Sequence, residues 1–140
     1  MIRACPSCGT RNRIPARHLA DTGRCGACRN SLQPLAAALE VDETTFDEIM
    51  REAVVPVLVD FWAPWCGPCR TAAPEVERAA ARLAGRAIVL KVDTETHPAL
   101  GQRYAIRSIP TFAVFRGGTL VQSRSGVMSH SALERLIQQA

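Results

Sequence analysis

Val54-Val55-Pro56-Val57-Leu58-Val59-Asp60-Phe61-Trp62-Ala63-Pro64-Trp65-Cys66-Gly67-Pro68-Cys69 is the stretch on which the reading of this chain turns. Residues 54–61 are almost continuously apolar and rich in β-branched side chains, the pattern of a strand buried on both faces. From Arg70 to Ala84 the composition changes to Ala, Glu, Arg and Leu, which are good helix formers. Two thiols therefore fall where a strand hands over to a helix. The unpaired N–H groups and the positive dipole end of a helix start stabilise a thiolate. The thiolate is the attacking species in disulfide exchange, and this position lowers its pKa. Cys66, nearer the strand and the solvent edge, is the expected nucleophile, and Cys69, one helical turn on, is placed to resolve a mixed disulfide. Gly67 lets a partner chain approach closely, and Pro68 suits a first helical turn that needs no N–H. A structural disulfide or half of a metal site would use the same spacing, but the strand-turn-helix context favours redox chemistry.

Four more cysteines lie upstream. Cys5-Pro6-Ser7-Cys8 and Cys25-Gly26-Ala27-Cys28 form two Cys-x2-Cys knuckles at the spacing of a zinc site. Two tight turns complete a tetrahedron of soft thiolates, with Gly9 and Gly26 expected to ease the turns. One structural Zn2+ per chain is the expectation, with a redox-responsive zinc as its rival. His18 lies between the knuckles and is read as a surface residue, because four cysteines fill the coordination sphere. The apolar content here is mainly Ile2, Ile14 and Leu19, too little to fold alone, so the metal should supply the folding free energy. Ser31-Leu32-Gln33-Pro34 reads as a connection, which divides the chain into a 1–34 zinc-ribbon module and a 35–140 domain.

The chain has 140 residues, 47% hydrophobic and 21% charged, as expected for a globular protein with one ordinary core. Its +4 net charge is uneven: residues 1–38 hold six Arg and one Asp, whereas the remainder carries eleven basic and twelve acidic residues. No aromatic residue is interleaved with those arginines to stack on bases, so no nucleic-acid partner is expected. No apolar run approaches the ~20 residues that span a bilayer. Met1-Ile2-Arg3-Ala4-Cys5 contains no apolar core of a secretory signal, and six cysteines without one point to metal and catalysis in a reducing compartment. A cytoplasmic monomer without membrane association is the expectation.

Along the second part, Leu35 to Val41 is a weak strand signal because of its three alanines. Asp42 or Thr44 can cap a helix with Phe46, Ile49, Met50 and Ala53 on one face. Asp60 places a carboxylate in an apolar strand, where it must be used or paired. Pro74 removes one hydrogen bond from the following helix and should kink it. Ala87 to Asp93 is a second buried strand, so the strand-helix-strand unit implies parallel neighbours. Lys91 interrupts it and is a candidate partner for Asp60. A short helix begins near Pro98 and runs through Leu100 and Tyr104. Strands 111–115 and 119–125 flank Arg116-Gly117-Gly118, a hairpin signal, and Gly126 ends the second of them. Ser129 can cap a last helix that buries Leu133, Leu136 and Ile137. His97 and His130 carry no visible chemistry.

Val59 to Arg70 resembles the active-site segment of thioredoxins, whose signature is Trp-Cys-Gly-Pro-Cys. The resemblance covers about residues 36–140, and with the four upstream cysteines the chain is similar to the zinc-containing thioredoxin-2 type of bacteria. It implies an α/β, thioredoxin-like fold, a central mixed sheet flanked by helices, behind an N-terminal four-cysteine zinc ribbon. It assigns Asp60 to a buried acid beneath the dithiol, where burial would raise its pKa and let it exchange a proton with Cys69. It sets Lys91 beside that acid and gives the Ile109-Pro110 bond the cis form. It leaves the Ile109 backbone free for an extended substrate, with Trp65 and Pro110 as an apolar rim and Gly126 in the groove. The implied activity is protein-disulfide reduction on disulfide-containing proteins. Thioredoxin reductase would recharge the dithiol, with NADPH as the indirect electron source and no organic cofactor bound. Arg70 departs from the lysine common at that position. A disulfide oxidase or isomerase is the nearest rival, and a zinc-dependent, redox-sensing, holdase-like binding module is the rival from another class.

Overall fold

The computed structural model describes residues 1–140. Two short antiparallel hairpins come first, β1 (Ile2–Ala4) with β2 (Arg11–Arg13), and β3 (Gly23–Arg24) with β4 (Ser31–Leu32), separated by one 3-10 turn at Ala16–His18. The main body follows as β5 (Leu39–Glu40), α1 (Glu43–Glu52), β6 (Val57–Trp62), α2 (Gly67–Leu83), β7 (Ile88–Asp93), α3 (Pro98–Arg103), β8 (Thr111–Arg116), β9 (Thr119–Ser125) and α4 (His130–Gln139).

Five of these strands form one mixed sheet in the order β5-β7-β6-β8-β9. The first three run parallel, β8 pairs antiparallel with β6, and β9 pairs antiparallel with β8. The β6-α2-β7 unit thus makes the parallel crossover that the sequence requires. β6 is central, and Val57–Phe61 are all buried. The strand starts at Val57 rather than Val54, which is 76% exposed. Residues 53–56 instead turn the chain from α1 into the sheet, and Pro56 has no N–H to give a ladder. β5 shrinks to two residues paired with Leu90 and Lys91, because Ala36–Ala38 offer little side chain to anchor a strand.

Alternation along the strands sends side chains into two cores. On one face Val57, Val59, Phe61, Leu90 and Phe115 pack with Phe46 and Ile49 of α1 and Leu100 of α3. On the other, Leu58, Val89, Phe112 and Val114 meet α2 through Ala72 and Val76 and α4 through Leu133 and Leu136. The caps follow the sequence: Asp42 Oδ1 accepts the Thr45 N–H at 2.8 Å and Ser129 Oγ accepts that of Ala132 at 3.2 Å. Pro74 sits inside α2 without ending it. Gly117 and Gly118, at φ +57° and +78°, form the two-residue turn between β8 and β9. A Cβ on Gly118 would lie 2.8 Å from the Met50 carbonyl oxygen, so no other residue fits there without a shift.

The N-terminal hairpins are fastened to this body. Leu19 and Ala16 are buried in the same cluster as Phe46 and Ile49, and the Leu35 N–H donates to the Leu19 carbonyl at 2.9 Å. Leu19 therefore belongs to the large core rather than to a small core of residues 1–34. No helix is long and apolar enough to cross a membrane.

Candidate active site and metal centre

Cys66 is the N-cap of α2, one residue after the strand-to-helix turn, and is joined to Cys69 in a disulfide with a Cα–Cα distance of 5.2 Å. Its Sγ accepts the Cys69 N–H at 3.1 Å, so one of the helix's orphan donors already points at this sulfur. Negative charge developing there on reduction meets that donor and the helix dipole. Both cysteines are only 4% exposed, so accessibility does not single out Cys66 as the sequence reading assumed. What distinguishes it is the capping position and its edge: its Sγ lies 3.8 Å from the Ile109 carbonyl oxygen. Gly67, Pro68 and Arg70 are exposed around it.

In the strand that delivers this turn, Asp60 is 2% exposed and its Oδ1 has no hydrogen-bond partner. Asp60 shares its face of the sheet with Leu58, hence with the core under α2. Burial pushes its carboxyl up to about 7, with Lys91 pulling it down and Glu40 pushing it further up. Lys91 is the register partner of Asp60 on β7, yet no ion pair joins them. The Lys91 Nζ instead sits 4.6 Å from the centroid of the Trp62 ring. The indole N–H of Trp62 donates to Glu40 Oε1 at 3.1 Å. Glu40 and Trp62 escape a sequence reading, since Glu40 lies in the weakest strand and its register is invisible there. An acidic residue in an otherwise apolar stretch was the only signal.

The Ile109-Pro110 peptide bond is cis. Neither the N–H nor the C=O of Ile109 bonds to another backbone group, whereas the Pro110 carbonyl accepts the Gly126 N–H at 2.9 Å. Gly126 has φ +99°, a conformation that favours glycine. Trp65 is 66% exposed beside the disulfide. Pro110 is buried at the foot of β8, so the apolar surface beside the disulfide comes from the exposed Trp65 and the half-buried Ile109 rather than from Pro110. A cleft of about 270 Å³ opens beside Trp65, lined by Thr94, Gly101, Ile106, Arg107 and Ile109 among others.

The four N-terminal sulfurs all lie within 4.8 Å of one another. Cys5 and Cys28 approach to 3.7 Å, and Cys8 and Cys25 to 3.6 Å. A tetrahedron with Zn–S bonds of ~2.3 Å has S···S edges of ~3.8 Å, so the donor set fits zinc in both chemistry and spacing. Each knuckle closes the same way: Gly9 N–H to the Cys5 carbonyl, and Arg29 N–H to the Cys25 carbonyl. The positive φ this closure needs falls on Gly9 (+77°) and on Arg29 (+67°), so at the second knuckle Gly26 is not the residue that supplies it. Asn12, which the sequence did not flag, locks the hairpins together. Its Oδ1 accepts the Gly26 N–H at 2.9 Å and its Nδ2 lies 3.5 Å from Cys25 Sγ.

A disulfide-forming Cys-x2-Cys pair at a helix N-terminus, with a buried, unpartnered acid in the strand behind it, defines a protein of thiol–disulfide exchange. Comparisons with known proteins agree. Residues 37–139 match the thioredoxin family model, and residues 4–30 match the model of the thioredoxin 2 N-terminal zinc ribbon. Thioredoxin C-3 of Corynebacterium nephridii is 37% identical over 99% of this chain and 94% of its own length. Thioredoxin 1 of a Nostoc species is 42% identical over 74% of this chain and 97% of its own. Among solved structures, a mutant thioredoxin from Halobacterium salinarum superposes with a TM-score of 0.68 at 34% identity, covering 74% of this chain and 90% of the other. The chain belongs to the thioredoxin family and carries that family's zinc-ribbon extension; it is a disulfide oxidoreductase.

Proposed function

We propose that this protein works as a protein-disulfide reductase. The observation that carries the reading is the placement of Cys66 at the cap of α2, with the Cys69 N–H on its sulfur and the unpartnered Asp60 in the strand behind. In the reduced protein the Cys66 thiolate attacks one sulfur of a client disulfide. A mixed disulfide forms and one client thiolate leaves. Cys69 then passes its proton to the Asp60 carboxylate and attacks the Cys66 sulfur, which restores the Cys66–Cys69 disulfide and releases the second client thiolate. Two electrons move from the dithiol to the client. Lys91, opposite Asp60 on the neighbouring β7, tempers the charge left on that carboxylate.

The extended client segment binds along the free Ile109 backbone beside Trp65, Gly67 and Pro68, with Gly126 and the cis-Pro110 turn shaping the floor. The clients are disulfide-containing proteins, a thioredoxin reductase recharges the dithiol, and the compartment is the cytoplasm, with NADPH the distant reductant. Residues 1–34 hold one structural zinc through Cys5, Cys8, Cys25 and Cys28, and residues 35–140 carry the chemistry. Zinc, when bound, cross-links four thiolates of a segment with little apolar surface of its own.

Reduction of insulin disulfides by the full chain tests this. Cys66→Ser should fall to the uncatalysed rate, and Cys69→Ser should accumulate a mixed disulfide with the client. Cys66→Ser retaining turnover would end the reading. Potentials of such dithiols run from ~−270 mV at the reducing end to ~−120 mV for oxidants, about 7 kcal/mol for two electrons. A value near the upper end would favour an oxidase instead.

A further inference from the structure

Three charges that the sequence scatters, Glu40, Asp60 and Lys91, share one row of the sheet. Lys91 on β7 is the register partner of Glu40 on β5 and of Asp60 on β6. Residues directly opposite one another present their side chains to the same face, and so does Trp62, two residues after Asp60. Contacts confirm the common face, since the Trp62 indole donates to Glu40 at 3.1 Å and its ring lies against the Lys91 ammonium. The row therefore has a buried end at Asp60, a cation in the middle and an exposed anion at the rim.

We propose that Glu40 is a positioning residue of the dithiol site: it fixes the Trp62 indole, draws the Lys91 charge outward along the sheet, and so governs the proton that Asp60 exchanges with Cys69. The role of that proton rests on the reductase reading; the placement of the charges does not. Lys91 has two carboxylates to serve and is paired with neither, and its position over the indole that Glu40 holds is the compromise. Were Glu40 neutral, the carboxylate left at the rim would be Asp93, whose oxygens are already taken by the Glu95 N–H and the Thr96 hydroxyl. Glu40 also acts through space, since two strand spacings of ~4.8 Å place it roughly 10 Å from Asp60 at the backbone. The burial that raises Asp60 is reinforced by Glu40 and opposed by Lys91. Asp93 at the end of β7 pushes the Glu40 carboxyl up, and His97 beyond it pulls it down. On its other flank Asp60 meets Phe112 of β8, which is uncharged, and α2 presents Ala72 and Val76 to the same face of the sheet.

The test is the titration of the Asp60 carboxyl, followed by carbon-detected magnetic resonance in the oxidised, zinc-loaded full chain. Glu40→Gln keeps an oxygen for the indole and removes the charge, whereas Glu40→Ala removes both. In Glu40→Gln the Asp60 midpoint should fall by about half a pH unit, a roughly threefold change in proton affinity. The difference from the parent should shrink at high salt, as a partly exposed charge requires. In the reduced protein, the pH profile of Cys69-dependent resolution should move the same way. An Asp60 titration that does not move in Glu40→Gln overturns the proposal. So does a shift confined to Glu40→Ala, which would assign the effect to the indole hydrogen bond alone. Insulin reduction by the parent separates the two readings: an immobile Asp60 titration in an active reductase removes only the role of Glu40.

Discussion

Cys66–Cys69 repeats the spacing of Cys5–Cys8 and Cys25–Cys28, yet the two regions use it in opposite ways. In the ribbon each pair sits on a hairpin turn whose backbone closes through the first cysteine's carbonyl, and the two turns face one another with four sulfurs in contact range. At the end of β6 the pair has no second knuckle opposite. One sulfur caps a helix, and the other lies within its first turn, so the pair closes on itself. A thiolate shared among four sulfurs and a metal is quenched, whereas a thiolate held by a helix start beside a groove is reactive. Spacing supplies the chelate bite, and the backbone around it decides whether the result is a cross-link or a nucleophile.

The sharpest way to break this contrast is to exchange the losses. Cys66→Ser should abolish insulin reduction and retain one zinc per chain by atomic absorption. Cys25→Ser should lose the zinc and keep dithiol turnover in the folded fraction. A Cys25→Ser protein that folds and binds zinc but cannot reduce insulin would erase the distinction.

Next in size is the buried acid. With a native pKa of about 7 against ~3.9 unfolded, Asp60 keeps a proton in the native state that the unfolded chain has already released. Stability should fall as pH rises from ~4 to ~7 and level off above, a loss on the order of 4 kcal/mol. Asp60→Asn has no such slope, so urea unfolding should find it more stable than the parent at pH 8 and much closer to it at pH 4. A parallel pH dependence in the two proteins would show that Asp60 is not buried as described. Leu19→Ala comes next. It deletes a fully buried side chain that the ribbon contributes to the α1 face, and should cost about 3 kcal/mol of global stability. An unchanged unfolding midpoint would make the ribbon a separable appendage. The smallest effect is expected at Asn12→Ala, where losing the bond to the second knuckle should weaken zinc binding by about 10- to 100-fold in a chelator competition, with insulin reduction untouched.

Much of the site was legible because its signals are local. The capped turn at Cys66, the helix caps at Asp42 and Ser129, the Gly117-Gly118 turn and both knuckles each lie within a few residues, where side-chain chemistry and backbone geometry constrain each other directly. Misreadings occurred where a neighbour distant in sequence decides. Val54 looks like strand until α1 takes the preceding residues, and Gly26 looks like the turn residue until the closure places positive φ on Arg29. Pro110 reads as a rim residue until the Gly126 bond and β8 bury it.

By itself the sequence determined the two kinds of cysteine pair, the strand-helix-strand unit that carries one of them, and the acid that accompanies it, because period, cap and chelate spacing are short-range properties. Only the tertiary structure decided that Leu19 of the ribbon completes the core of the larger domain, and that Glu40, Lys91 and Asp60 line up across three strands. Those facts depend on strand order and register, which are set by how two cores pack against opposite faces of one sheet and leave no local mark on the chain.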